Sequence, residues 1–99
     1  MLTYMFTYTA KITINIDFMS IDLSKTKKEF GLNIKKIRES KGLTQLDLAT
    51  AMNNIDSASF IDKTTISRIE NARTNVTLST IIKLSLALEV DVKIFFDFD

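Results

Sequence analysis

The sequence predicts an all-α domain of five helices that follows an N-terminal β-strand. Apolar residues recur with a period of two in residues 3–18 and at helical spacing after Ser24. A residue suited to begin a helix precedes each of the five later segments. The length of 99 residues and the apolar fraction of 45% suit one small folded domain. We therefore divide the chain into a strand extension at 1–20 and a helical domain at 21–99.

Residues 3–18 have the pattern of a strand with one buried face. Every even position is apolar: Tyr4, Phe6, Tyr8, Ala10, Ile12, Ile14, Ile16 and Phe18. No Gly, Pro or Asn-Gly interrupts the segment, so an internal hairpin has no turn signal. Because a lone strand cannot satisfy its backbone hydrogen bonds, we infer that it pairs with a second copy of the chain as a dimer arm. The alternative is that the natural product begins at Met19 and lacks this segment.

The five helices are predicted from their first residues and from their apolar spacing. The expected N-caps are Ser24, Thr44, Asp62, Thr77 and Asp91. The first helix is expected to close at Lys41-Gly42, and residues 53–60 and 72–76 are predicted loops. The apolar residues at helical spacing are Phe30, Ile34, Ile37, Leu48, Ala49, Met52, Leu78, Ile81, Ile82, Leu84, Leu88, Ile94, Phe95 and Phe98.

The third helix is thin and polar, in the stretch "DKTTISRIENAR" at 62–73. On a helical wheel Ile66 and Ile69 share one side, with Thr65 and Glu70 at the borders. The opposite arc is polar and holds Lys63, Thr64, Ser67, Arg68 and Asn71. Lys and Arg side chains pair with guanine edges, and Thr can meet a base edge or a thymine methyl group. Such a helix displays its polar face, which is typical of a major-groove reader.

The basic charge surrounds this helix, although the whole chain carries a net charge of only +1. From Lys25 to Arg73 there are ten Lys or Arg and six Asp or Glu, a balance of +4. The second helix opens with Thr44-Gln45, and the positive end of a helix suits a phosphate. The basic charge is thus concentrated where the polar helix lies, which fits either a nucleic-acid partner or a solvated face, and charge alone does not decide between them.

Composition argues against an enzyme. The chain has no Cys and no His, which removes thiolate and imidazole ligands, nucleophilic thiols and the commonest general base. The carboxylates of Asp91, Asp97 and Asp99 are better explained as a helix cap and a solvated tail. We expect no catalytic residues, no metal and no cofactor. No membrane-length apolar run or signal-peptide pattern occurs, and the absence of Cys fits a reducing compartment, so we expect a cytoplasmic protein without a membrane partner.

Three stretches carry a resemblance to a known family: "FGLNIKKIRESKGLTQLDLA" (30–49), "TTISRIENAR" (64–73) and "TLSTIIKLSLALEV" (77–90). Together with the Asp-initiated last helix, they resemble the Cro/phage-repressor (Xre-type) helix-turn-helix regulators over residues 30–96. The resemblance implies a lambda-repressor-like helix-turn-helix domain that binds double-stranded DNA.

The resemblance also implies residue roles. Lys63, Thr64 and Arg68 stand where the family reads base edges, and Ser67 is a weaker candidate. For Thr64 and Ser67 an inert solvated hydroxyl is an equal alternative. The positions implied to hold phosphates are Gln45, Asn71 and Arg73, and Thr44 joins them as the first residue of its helix. The implied structural pair, which ties the first helix to the third, is Arg38 with Glu70.

The chain departs from the family pattern at three places. The connection at 53–61 is longer than the family's short turn. Ala72 stands where a Gly usually ends the third helix with a positive φ, a costly conformation for Ala. Leu86 falls where the family is usually polar, and together with Leu46 it suggests an extra interface.

These observations lead to two hypotheses for function. The first is a sequence-specific DNA-binding transcription regulator, a repressor or autoregulator, that acts as a homodimer without a small-molecule ligand. The alternative is a protein-binding module, such as an antitoxin that grips a toxin or another partner protein through its N-terminal strand.

Overall fold

The computed structural model describes residues 23–98, which form four α-helices and one short 3-10 helix. The α-helices are α1 (Leu23–Ser40), α2 (Gln45–Ile55), α3 (Lys63–Glu70) and α4 (Leu78–Leu88). The 3-10 helix spans Val92–Phe96. No β-strand occurs within the part of the chain that the structure describes. The predicted strand at 3–18 and the extension at 1–20 lie outside the described residues.

Most of the predicted helix starts are confirmed, and one is wrong. Thr44, Asp62, Thr77 and Asp91 are N-caps, and each side chain accepts a hydrogen bond from a backbone amide of the first turn. Ser24 is not an N-cap, because it lies inside α1. Capping of α2, α3, α4 and the 3-10 helix was predictable since it is a local interaction within three residues.

The core lies where the four α-helices and the 3-10 helix meet. Helix α1 packs on α3 and on the 3-10 helix, whereas α2 packs on α3 and α4. The buried apolar side chains are Phe30, Ile34, Leu48, Ala49, Met52, Ile61, Ile66, Ile69, Leu84, Leu88 and Phe95. Two residues predicted at helical spacing in α4 are exposed instead, with Leu78 72% and Ile82 47% accessible. They lie on the face of α4 that points away from this core.

The predicted fifth helix is a 3-10 helix, and the expectation of a fifth α-helix is therefore wrong. The Ile94 amide donates to the Asp91 carbonyl at 3.0 Å, an i to i+3 bond. The Asn33 side chain of α1 donates to the Phe95 carbonyl at 3.0 Å and to the Asp97 carbonyl at 3.3 Å. The Asn33 side chain of α1 thus gives the carbonyls of Phe95 and Asp97 a hydrogen-bond partner, although the 3-10 helix ends at Phe96. Ile94 is partly exposed, while Phe95 is buried against the ring of Phe30.

The long connection before α3 is shorter than predicted, because α2 continues through Ile55. The Asn53 side chain, still in α2, donates to the Ile61 carbonyl at 2.7 Å and accepts from the Ile61 amide at 2.8 Å. From α4, the buried Lys83 ammonium donates to the Ser59 carbonyl at 3.3 Å and lies 3.4 Å from the Asp56 carboxylate. The connection is therefore held at both ends and in its middle.

Candidate nucleic-acid interface

Helix α3 has the two faces that its sequence predicts. Ile66 and Ile69 are buried in the core. Lys63, Thr64 and Arg68 are exposed, while the shorter Ser67 is half-buried. Three of the four base-contact candidates thus share one accessible face of a helix that is anchored by two apolar side chains. This arrangement can place donors of mixed chemistry against the edge of a DNA base pair.

Arg38 of α1 and Glu70 of α3 form a buried ion pair. The guanidinium donates from Nε to Glu70 Oε2 at 2.6 Å and from Nη2 to Glu70 Oε1 at 3.0 Å, a two-pronged contact. Nη1 also donates to the Leu43 carbonyl at 2.7 Å. The hydrogen bond to Glu70 raises the pKa of the Arg38 guanidinium above its ordinary value, against the effect of burial. Only 7% of Arg38 and 5% of Glu70 is accessible, so the pair supports α3 from behind.

Gln45 belongs to the same network, which sequence reasoning missed. Its Nε2 donates to Glu70 Oε1 at 3.1 Å. Gln45 also lines an open cleft of about 700 Å³ together with Arg38, Leu46 and Lys63. The cleft lies beside the end of α1 and the beginning of α2, and Lys63 is the residue of α3 that lines it. A contact between residues 25 positions apart has no local sequence signal.

The hydroxyl and the backbone amide of Thr44 are both used in a capping box with Asp47. Its hydroxyl accepts from the Asp47 amide at 3.0 Å, and its own amide donates to Asp47 Oδ2 at 2.9 Å. The hydrogen bond from the Thr44 amide is the main cause that lowers the pKa of the Asp47 carboxyl, so a negative charge stands at the beginning of α2. Sequence reasoning had assigned Thr44 to a phosphate and had not considered this carboxylate.

Asn71 and Arg73 lie at the end of α3, where the chain turns away. The Asn71 side chain donates to the Ser67 carbonyl at 2.8 Å. The Arg73 amide donates to the Arg68 carbonyl at 2.8 Å, and the intervening Ala72 has a φ of 57°. This is a Schellman-type cap with Ala in the left-handed position that usually holds Gly. The Ala72 strain is therefore present in the fold, and it leaves the exposed Arg73 beside the last turn of α3.

Gly31 is a further residue that positions α3 and that sequence reasoning overlooked. A Cβ placed on Gly31 would lie 2.6 Å from the carbonyl oxygens of both Ile69 and Glu70. Helix α1 thus approaches the last turn of α3 more closely than any side chain allows. The available sequence signal was a Gly in the middle of a predicted helix. Gly destabilises a helix at such a position, so its presence there suggests that close packing requires it.

Two other kinds of site are absent from the described residues. Among residues 23–98 no cluster of carboxylates could hold a metal ion. No helix in this part of the chain has the length and apolar character needed to cross a membrane. A second cavity of about 360 Å³, lined mainly by apolar side chains including Phe30, Val76 and Phe96, lies between α1 and the segment that follows α3.

The fold and this surface define a helix-turn-helix domain: a braced α2, a connection, and an α3 that displays a polar face. The family model described as Helix-turn-helix (HTH_3) matches residues 34–95, and the chain belongs to this family. A similar solved structure is the restriction-modification controller protein C.AhdI from Aeromonas hydrophila. It is 29% identical, with a TM-score of 0.61, over 70% of this chain and 94% of that one. A comparison with curated proteins found no match. The chain is a DNA-binding transcription regulator of the Cro/phage-repressor type.

Proposed function

We propose that the chain reads a specific double-stranded DNA site with α3 in the major groove. Lys63, Thr64 and Arg68 contact base edges, and Ser67 contributes at the margin of the same face. The single observation that carries the proposal is the exposure of these donors on a helix whose opposite side is buried and braced by Glu70. Arg and Lys are the residues best suited to guanine O6 and N7.

Phosphates are held on both sides of this helix. Gln45 and Thr44 lie at the beginning of α2, and Asn71 and Arg73 lie at the end of α3. Arg73 supplies a full charge, whereas Gln45 and Asn71 supply neutral N–H donors. Thr44 contributes only through the outer side of its capping hydroxyl, beside the Asp47 carboxylate. We therefore expect Arg73 to contribute most to affinity, without regard to sequence.

The regulator acts as a homodimer. Leu78, Ile82 and Leu86 repeat every fourth residue along one side of α4, and each is 47–72% accessible. Residues at this spacing lie in a line on a helix surface, and an exposed apolar line favours an interface. A dimer with two-fold symmetry would read a near-palindromic site whose half-sites lie about 34 Å apart.

The N-terminal residues 1–20 are a dimer arm and residues 21–99 form the DNA-binding domain in this proposal. Deletion of 1–18 tests the arm in analytical ultracentrifugation. A deletion variant that becomes monomeric, with an unchanged helical circular dichroism spectrum, supports the arm. A variant that stays dimeric shows that the arm is dispensable and favours the line of apolar residues on α4.

The biological role that we propose is repression or autoregulation in the cytoplasm. Similarity to a restriction-modification controller supports a controller role, and the gene neighbourhood of the chain would test it. The alternative function, a protein-binding module of the antitoxin type, predicts a co-purifying protein and behaviour that does not depend on salt. The proposed DNA-binding function predicts retention that falls steeply as salt rises.

The experiment that tests sequence-specific binding is selection of bound duplexes from a random pool, followed by native mass measurement of the complex. A conserved near-palindrome and a mass of two chains per duplex are expected. Arg68→Ala should cost about 1–3 kcal/mol on the selected site and relax the preference at one base pair. Lys93→Ala, an exposed charge outside the proposed surface, is the matched control. An unchanged motif for Arg68→Ala would show that α3 does not lie in the groove as proposed.

A further inference from the structure

The Glu70 carboxylate serves two partners that belong to different helices. It accepts from the Arg38 guanidinium of α1, and Oε1 also accepts from Gln45 Nε2 at 3.1 Å in the first turn of α2. Because a carboxylate can only accept, the amide nitrogen of Gln45 must face Glu70. The orientation of the Gln45 amide is thereby set by a buried residue of α3.

This contact uses one of the two hydrogens on Gln45 Nε2. The other hydrogen, and the backbone amide of Gln45 in the first turn of α2, remain to be satisfied from outside the helix. Gln45 is half-buried and lines the 700 Å³ cleft that also contains Lys63. The side-chain amide of Gln45 therefore lines the same cleft as Lys63, the cation to which we assign a DNA contact.

We propose that Glu70 is a positioning residue for DNA binding. Its carboxylate, itself held by Arg38, orients Gln45 so that the second Nε2 hydrogen donates to a DNA phosphate at the cleft beside the beginning of α2. A free Gln side chain has many rotamers, and fixing it before binding removes an entropic cost that would otherwise reduce affinity. This inference rests on the proposed function and adds a route by which the buried pair affects DNA affinity without touching DNA.

A double-mutant cycle tests the proposal. The buried pair is removed without stranding a charge by Arg38→Met combined with Glu70→Leu, a change that such pairs often tolerate. Gln45→Ala is then made in the native protein and in this pairless variant. The probe is a fluorescein-labelled duplex of random sequence, measured by anisotropy across a salt series, since a phosphate contact needs no specific site. Thermal melting by circular dichroism reports whether each variant is folded.

We expect Gln45→Ala to weaken binding roughly tenfold in the native protein, as for loss of a hydrogen bond to a charged group. In the pairless variant the same change should cost less than about twofold, because Gln45 has already lost its orientation. Arg73→Ala is the matched control: it contacts neither member of the pair, so it should weaken binding equally in both backgrounds.

Equal effects of Gln45→Ala in both backgrounds would overturn the inference. The inference would also be overturned if the native protein binds DNA in a salt-dependent manner and Gln45→Ala leaves the affinity unchanged. That result would still be consistent with the proposed function. A native protein that shows no salt-dependent retention would overturn the proposed function, and this inference with it.

A second variant keeps the test open if the pairless protein does not fold. Gln45→Glu places an introduced carboxyl beside Glu70, whose charge should raise the pKa of the new group. DNA affinity of this variant should then rise as the pH is lowered from about 8 to 5, beyond any change in the native protein. A pH profile parallel to that of the native protein would show that Glu70 does not act on position 45.

Discussion

Gly31→Ala should destabilise the fold, although the same change in an ordinary helix stabilises it. In a helix interior Ala is favoured over Gly by about 1 kcal/mol. Here the new methyl group would lie 2.6 Å from the backbone oxygens of Ile69 and Glu70. A carbon in contact with a carbonyl oxygen needs roughly 3.3 Å, so α1 must move away by about 0.7 Å. Neither neighbour is a side chain that can rotate aside.

The magnitude follows from two opposing terms. Overpacking that forces a backbone shift costs about 1–3 kcal/mol, and we take the upper end because both obstacles are backbone atoms. Subtracting the gain in helix propensity leaves a net loss of about 2 kcal/mol in the free energy of unfolding. In a domain of this size that corresponds to a decrease in melting temperature of roughly 8–16 °C.

Thermal unfolding followed by circular dichroism measures this loss. Lys35→Ala, an exposed position on the same helix, is the control and should stay within about 0.5 kcal/mol of the native protein. DNA affinity should also fall in Gly31→Ala, because the shift displaces the turn that carries Glu70. A melting temperature equal to or above the native value would refute the close approach of α1 and α3.

Three further changes are expected to have measurable effects. Ala72→Gly should raise the free energy of unfolding by about 0.5–1 kcal/mol, since relief of the positive φ outweighs the greater flexibility of Gly in the unfolded chain; a lower melting temperature would count against the strain. The hydrogen bond from the Thr65 amide lowers the pKa of the Asp62 carboxyl below its ordinary value. The stability that the ionised carboxylate contributes to the fold is therefore complete above the unfolded-state pKa, and it is lost as the pH falls through the lowered folded-state pKa. Asp62→Asn keeps the cap and should lose less stability than the native protein on acidification, and identical acid profiles would contradict this. Removing Arg38 or Glu70 alone should cost about 3 kcal/mol or more, and removing both should cost clearly less than the sum; additive losses in denaturant titrations would show that the two do not interact.

The helices α1 to α4 could be predicted because their signals are local. An N-cap such as Asp62 acts on an amide three residues away, and buried residues such as Ile66 recur at the helical period. The exposed polar side of α3 followed from the same period. These predictions required no knowledge of what packs against each helix.

The remaining features depend on neighbours that are distant in the sequence. Leu78 and Ile82 fit a helical apolar pattern, but α4 has only one face toward this core, and periodicity alone does not distinguish that face from an interface. The end of the last helix, a 3-10 helix, is held by Asn33 of α1, which donates to the carbonyls of Phe95 and Asp97. The importance of Gly31 and Gln45 likewise comes from α3, which reaches them only in the folded chain.

The braced connection before α3 has a consequence for how the protein tolerates change. Asn53 and Ile61 are joined by two hydrogen bonds, so the short chain between them starts and ends at nearly the same place. Lengthening an already closed loop costs little, about 0.6 kcal/mol for each doubling of its length. Residues 57–60 are exposed. The point between Ser59 and Phe60 is therefore a natural position for inserting a peptide tag or a fluorescent label close to α3, because an insertion there leaves the bonds of Lys83 to Asp56 and Ser59 and those of Asn53 to Ile61 in place.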